Sequence, residues 1–167
     1  MTATSSVATA QQRVSGPSPT RRLATSGRGM ELSVPRTSRP GAGGAEEVSE
    51  KDMRWPGRIR RIGRAQLRRW DLGALSEPVE LCLSELVTNA MRYGHGPVVR
   101  VRLHQDGSHL LIEVTDGSPD RAVLSVAGPD EERGRGLALV DAIADAWGVS
   151  DDGTCTWCRL SVPERHS

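Results

Sequence analysis

One stretch constrains the fold of this chain more than any other: Glu80 to Gly94, reading ELCLSELVTNAMRYG. Leu83, Leu86, Val87, Ala90 and Met91 fall at i, i+3, i+4, i+7 and i+8, the apolar stripe of a helix lying on a core. Glu85 and Asn89 lie off that stripe, four residues apart, and so project from one side of the helix a turn above each other. A carboxylate and an amide so placed can hold a metal ion, a water or a phosphate; they serve equally well as solvated surface groups.

The rest of the chain supplies partners for this helix. Pro56 suits the first turn of an earlier helix running to about Trp70, with Ile59, Ile62, Leu67 and Trp70 on its apolar side. That helix also carries Arg58, Arg60, Arg61, Arg64, Arg68 and Arg69. They read either as a surface for an acidic or phosphate-bearing partner, or as a solvated face whose long stems cover apolar surface. Asp71-Leu72-Gly73 closes it, Ser76 is placed to cap the next helix, and Pro78 falls in that helix's first turn. Downstream, Val99, Val101 and Leu103 alternate with arginines, Asp106-Gly107 turns, and Leu110 to Thr115 returns as an antiparallel partner. A loop is expected over Arg121 to Arg133, then a helix from Leu137 to Trp147 ended by Gly148. A short strand beginning at Val149, a turn at Asp151-Asp152-Gly153 and a last strand from Cys155 to Val162 complete the series.

Residues 1–54 are rich in Ser, Thr, Pro, Gly and Arg and read as a poorly ordered tail, interrupted near residues 30–35 by Met30-Glu31-Leu32-Ser33-Val34-Pro35, whose alternation suits an edge strand. The folded domain is expected over residues 55–162, with 163–167 as a C-terminal tail. Net charge is +1, from 22 basic and 21 acidic residues, so no global field recruits nucleic acid or an anionic membrane. With no run of about 18 apolar residues and no signal-like apolar core, a soluble cytoplasmic protein is the expectation. Cys155 and Cys158 form C-x-x-C, but three residues apart on a strand they point to opposite faces and do not converge on a metal.

Helices gathered on one face of an antiparallel sheet make an α+β two-layer fold. Three polar signals stand at element ends. The first is Glu85 with Asn89. The second is Asp116, where a carboxylate can accept from an exocyclic amine while Gly117 admits a flat ring to the backbone. The third is Gly134-Arg135-Gly136 at a helix start, where free N–H groups and the helix dipole favour phosphate.

In this order, Glu85-Leu86-Val87-Thr88-Asn89-Ala90, Asp116-Gly117-Ser118-Pro119 and Gly134-Arg135-Gly136-Leu137-Ala138-Leu139-Val140 resemble the GHKL ATPase superfamily of DNA gyrase, histidine kinases and the heat-shock chaperone. The likeness is greatest to its bacterial anti-sigma-factor serine kinase branch. The resemblance implies the family's two-layer ATP-binding fold, with a mostly antiparallel mixed sheet. It implies Mg²⁺ on Asn89, Glu85 as general base, and Asp116 with Ser118 beneath adenine. It also implies a lid from Gly117 to Arg133, and phosphates held by Gly134, Gly136 and Leu137 with Arg133 or Arg135 neutralising charge.

The activity so implied is that of a protein serine/threonine kinase in transcription regulation. It would bind Mg-ATP, hold a sigma factor, phosphorylate an antagonist protein and, as in many members, form a homodimer, with no direct contact to nucleic acid or membrane. The alternative is a module that binds ATP and regulates a partner without phosphoryl transfer. A third reading, the ATP-binding half of a sensor histidine kinase, lacks a phosphoacceptor-histidine helix, His95 reading as a loop residue. The chain departs from the family pattern at Ser118, where a glycine is usual, at Tyr93, where a histidine is common, and at Gly153-Thr154-Cys155, where the branch often has Gly-Lys-Thr.

Overall fold

A computed structural model describes residues 27–37, 48–117 and 132–164, with side chains from residue 136 onward in the last helix. The elements in chain order are β1 (Arg28–Pro35), α1 (Glu50–Met53), α2 (Trp55–Arg69), α3 (Ser76–Tyr93), β2 (Val98–Asp106), β3 (His109–Thr115), α4 (Glu132–Ile143), β4 (Ala146–Val149) and β5 (Cys155–Ser161). The strands form one sheet in the order β1-β2-β3-β5-β4, and every described pairing is antiparallel. No described helix is long and apolar enough to cross a membrane.

Strand alternation decides which face the helices cover. Val101 and Leu103 of β2 stand in register with Val114 and Ile112 of β3, and Ile112 and Leu110 with Cys158 and Leu160 of β5, so these side chains and Val99, two residues from Val101, share one face. All are buried against Leu83, Leu86, Val87, Ala90 and Met91 of α3, the stripe read from the sequence. Each such side chain, fully buried, stabilises the fold by roughly 1.5–3 kcal/mol relative to exposure. α3 is the middle helix, packed on the sheet and flanked by α2 and α4.

The alternating segment around Met30 forms β1 at the sheet edge, pairing Arg28 with Gln105 through Pro35 with Val98, and buries Val34. Just beyond it, Thr37 donates to the wholly buried Asp52 of α1 from its backbone N at 3.1 Å and from Oγ1 at 2.9 Å, so α1 precedes the expected start at Trp55.

α2 begins with Pro56 in its first turn, as its fixed φ allows. Ile59, Leu67 and Trp70 are buried, but Ile62, expected beside them, is exposed. Position 63 takes the inward place instead, where Gly63 lies against Leu83 of α3. α2 ends in a Schellman turn: Asp71 adopts φ +59°, its N donates to Arg68 O at 3.1 Å, and Leu72 N donates to Leu67 O at 2.8 Å. Ser76 does not cap α3 through its side chain; a 3₁₀ turn, Gly73–Leu75, leads into the helix directly.

The last third departs most from expectation. The helix expected over Leu137–Trp147 runs instead from Glu132 to Ile143, and Trp147 lies in β4, not in the helix. Gly148 is inside β4 rather than a helix stop, and Val149 ends the strand rather than starting it. Val140, Ala144 and Trp147 all face the core, so helical spacing fits them whether or not the helix continues. The chain switches because Asp145 N donates to Arg159 O at 2.9 Å, drawing it into the sheet. Trp147 then reaches back to α4, its Nε1 donating to Asp141 Oδ1 at 2.7 Å.

Candidate functional site

α3 presents Glu85 to the side that α4 covers. Glu85 and Asn89 are both partly buried, one turn or about 6 Å apart along the axis. Against Glu85 stands Gly136. A Cβ at that position would collide with Glu85 Oε2 and lie 3.2 Å from its Cδ, so any side chain there would turn the carboxylate aside.

The other end of the site forms where α3 stops. Asp116 follows β3 and is pinned through its backbone: its N donates to Thr154 O at 3.1 Å, and its O accepts from Gly96 N at 2.9 Å. A Cβ on Gly94 would lie 2.7 Å from Asp116 Cβ and also strike Ala90 O, so the end of β3 is packed on the last turn of α3. Gly117, at φ +70°, then turns the chain away in a conformation that side chains rarely adopt. Glu85 therefore faces α4, and Asp116 is packed against the end of the same helix, so the first two polar signals both lie along α3.

Arg36 is the member of this site that sequence reading missed. It was assigned to the tail, and only the weak alternation of Met30 to Val34 hints that the chain there is ordered. The end of β1 carries it in: Arg36 N donates to Pro97 O at 2.9 Å, and Nη1 approaches Ala90 O at 3.4 Å. The side chain is buried, which lowers the guanidinium pKa, while the carboxylates of Asp116 and Asp52 oppose that shift. A buried cation thus stands beside Asp116 at the end of α3.

The third signal is placed differently from its sequence reading. α4 starts at Glu132, ahead of the Gly134-Arg135-Gly136 expected to open it, so Gly134 lies in the first turn, where backbone N–H groups lack intrahelical acceptors. Gly136 is further along, and its described contribution is the close approach of Glu85. Leu137 packs partly buried against the core. Ser118, nearly all of the lid expected over Gly117 to Arg133, and the side chains of Arg133 and Arg135 lie outside the described residues.

The β4–β5 turn completes the surroundings of Asp116. Asp152 Oδ1 accepts from Ser150 Oγ at 2.6 Å, Thr154 Oγ1 at 2.9 Å and Thr154 N at 3.1 Å, bonds that hold its carboxyl below the usual range and set Thr154 O toward Asp116. Cys155 and Cys158 pair with Thr115 and Ile112 of β3 and so point to opposite faces, the arrangement expected of C-x-x-C on a strand. Cys158 lies with Cys82 inside the core, and all three thiols are free.

Among the described residues no group of three or more His, Cys, Asp or Glu converges as an all-protein metal cage. A hard cation at Asn89 would therefore share its coordination with oxygens of a bound ligand, the habit of Mg²⁺ at phosphate sites. The residues present fit such a ligand: the Asn89 amide one turn from the Glu85 carboxylate, glycine backbone at Gly136 and Gly117, and first-turn N–H groups at the start of α4.

The histidine kinase-like ATPase domain family model matches residues 53–161, which span α2 to β5 and include Glu85, Asn89, Asp116 and Gly136. A search of curated proteins returned no match. With its α+β sandwich and more than half its length matched, the chain belongs to the histidine kinase-like ATPase domain family.

Proposed function

We propose that this ATPase domain is a regulatory protein that binds Mg-ATP, sequesters a sigma factor and phosphorylates a serine on an antagonist protein. The observation that carries the reading is the seating of the Glu85 carboxylate against the Cβ-free Gly136, one turn from Asn89, with Asp116 fixed at the end of the same helix. ATP, when bound with Mg²⁺, supplies the phosphoryl group. Asn89 Oδ1 would ligate the ion, and the Asp116 carboxylate would accept from the adenine amine. The N–H groups of the first turn of α4 would face the phosphates. Glu85 would take the proton from the attacking hydroxyl, with α4 limiting its motion and its access to water. Catalysis of this kind depends chiefly on positioning and electrostatics, which rigid elements supply. The sigma factor and antagonist rest on the likeness of the three motifs to the anti-sigma kinase branch.

Purified protein incubated with γ-labelled ATP, Mg²⁺ and a co-purified antagonist tests this directly. Label is expected on the antagonist, with transfer abolished in Glu85→Ala at unchanged nucleotide affinity. Asp116→Asn should weaken nucleotide binding about tenfold or more, because it replaces a charged acceptor in the pocket. Equal transfer by Glu85→Ala and the parent would refute the base assignment. Nucleotide binding that depends on Asp116, without transfer by the parent protein, would identify a non-catalytic ATP-dependent module.

A further inference from the structure

The flank of α3 away from α4 carries a second feature that the nucleotide site does not use. α2 and α3 enclose a groove of about 950 Å³, lined by Arg60, Arg61, Arg64 and Arg68 with Glu77, Glu80, Leu81 and Ser84 among the facing residues. Four arginines stand against two glutamates on a chain whose net charge is only +1, so positive charge is concentrated here. Two of the arginines are engaged within the protein. Arg64 makes a two-pronged bond to Glu80 at 2.5 and 2.6 Å, and Arg60 Nη1 donates to Ser84 Oγ at 3.1 Å. Arg61 and Arg68 are exposed and make no described hydrogen bond or salt bridge, and Leu81 adds exposed apolar surface to the groove.

We propose that this groove docks an acidic amphipathic helix of a partner protein, with carboxylates on Arg61 and Arg68 and an apolar side chain on Leu81. Spacing favours a helix over an extended segment. Arg61 and Arg68 are seven residues apart on α2, about 10.5 Å along its axis. A partner helix repeats that spacing with acidic residues at i and i+7, whereas same-face residues of a strand recur at about 6.6 and 13 Å. The lining favours protein over nucleic acid: no aromatic side chain lines the groove to stack a base, and exposed Leu81 offers an apolar contact that suits a protein side chain. The site is separate from the ATP pocket and does not depend on it.

The test uses the full chain and a fluorescein-labelled helical peptide with Glu at i and i+7 and Leu between them on the same face, followed by fluorescence anisotropy. A peptide of the same composition with the Glu positions scrambled is the control. The matched peptide is expected to bind about tenfold tighter than the scrambled one, to weaken about tenfold on Arg61→Glu/Arg68→Glu, and to weaken with salt. Arg159→Glu, a single charge reversal on an exposed residue of β5, and Asp116→Asn are expected to leave binding unchanged. Should the double reversal shift the melting curve, Arg61→Gln/Arg68→Gln gives the same reading without adding charge. Equal affinity for matched and scrambled peptides, indifference to Arg61 and Arg68, or tighter binding of a single-stranded oligonucleotide of equal charge would overturn the proposal.

Discussion

The Glu85 carboxylate occupies the space that a methyl group at position 136 would fill. The contacting atom, Oε2, is the free end of a flexible side chain, so in Gly136→Ala the carboxylate turns aside at little cost while alanine adds about 1 kcal/mol of helix propensity. We expect stability in urea titrations to be unchanged or raised, and a double-mutant cycle with Glu85→Ala to show coupling; no coupling would contradict the contact. A second residue-scale outcome concerns pH. Burial, with Glu113 and Asp152 adding to it, pushes the Cys155 thiol up to about 11, although a hydrogen bond to Thr115 opposes this. The fold thus favours the neutral thiol over the thiolate, and its contribution is fully present below the unfolded pKa of about 8.5 and is lost as pH rises toward 11. The loss attributable to this thiol reaches about 3 kcal/mol. Denaturant titrations between pH 8 and 10.5 should show a shallower decline in Cys155→Ala than in the parent. A residual slope is expected from Cys158, whose pKa is raised by its hydrogen bond with Cys82 and by burial.

Among elements, α3 was the most legible, since its apolar stripe has only one way to face a sheet, and all five residues of that stripe are buried. α2 was read with one error of facing: Ile62 is exposed while Gly63 lies inward against Leu83. Close approach of two helices favours a small residue at the crossing, a requirement that a hydrophobicity pattern does not register. Gly63→Val should therefore destabilise by about 2 kcal/mol despite adding apolar volume, and a melting temperature at or above the parent's would refute the crossing. α4 and β4 were misread because Trp147 buries equally well at the end of a helix or in the neighbouring strand, and a long-range bond, Asp145 N to Arg159 O, makes the choice. Element ends that depend on a partner 14 residues away are not written in local spacing.

On the scale of the whole molecule, β1 joins the outer edge of the sheet to the end of the site. It covers β2, buries Val34, carries Arg36 to Asp116 and ties Thr37 to the buried Asp52. A chain beginning at residue 38 exposes the β2 edge and leaves Asp52 without the Thr37 donors. We expect it to lose about 3 kcal/mol or more and to aggregate on warming, as light scattering during a thermal melt would record. A truncated chain as stable as the parent would show that the edge strand is dispensable. The sequence by itself determined the α+β class, the central helix with Glu85 and Asn89 on one side, the β2–β3 hairpin and the turn before β5, because these follow from periodicity and turn chemistry within a few residues of each position. Tertiary structure alone decided that Gly136 meets Glu85, that Asp116 is held between Gly96 and Thr154, and that Arg36 belongs to the site. Each of those contacts joins residues far apart in the chain, and only packing of the complete sheet and helix layer brings them together.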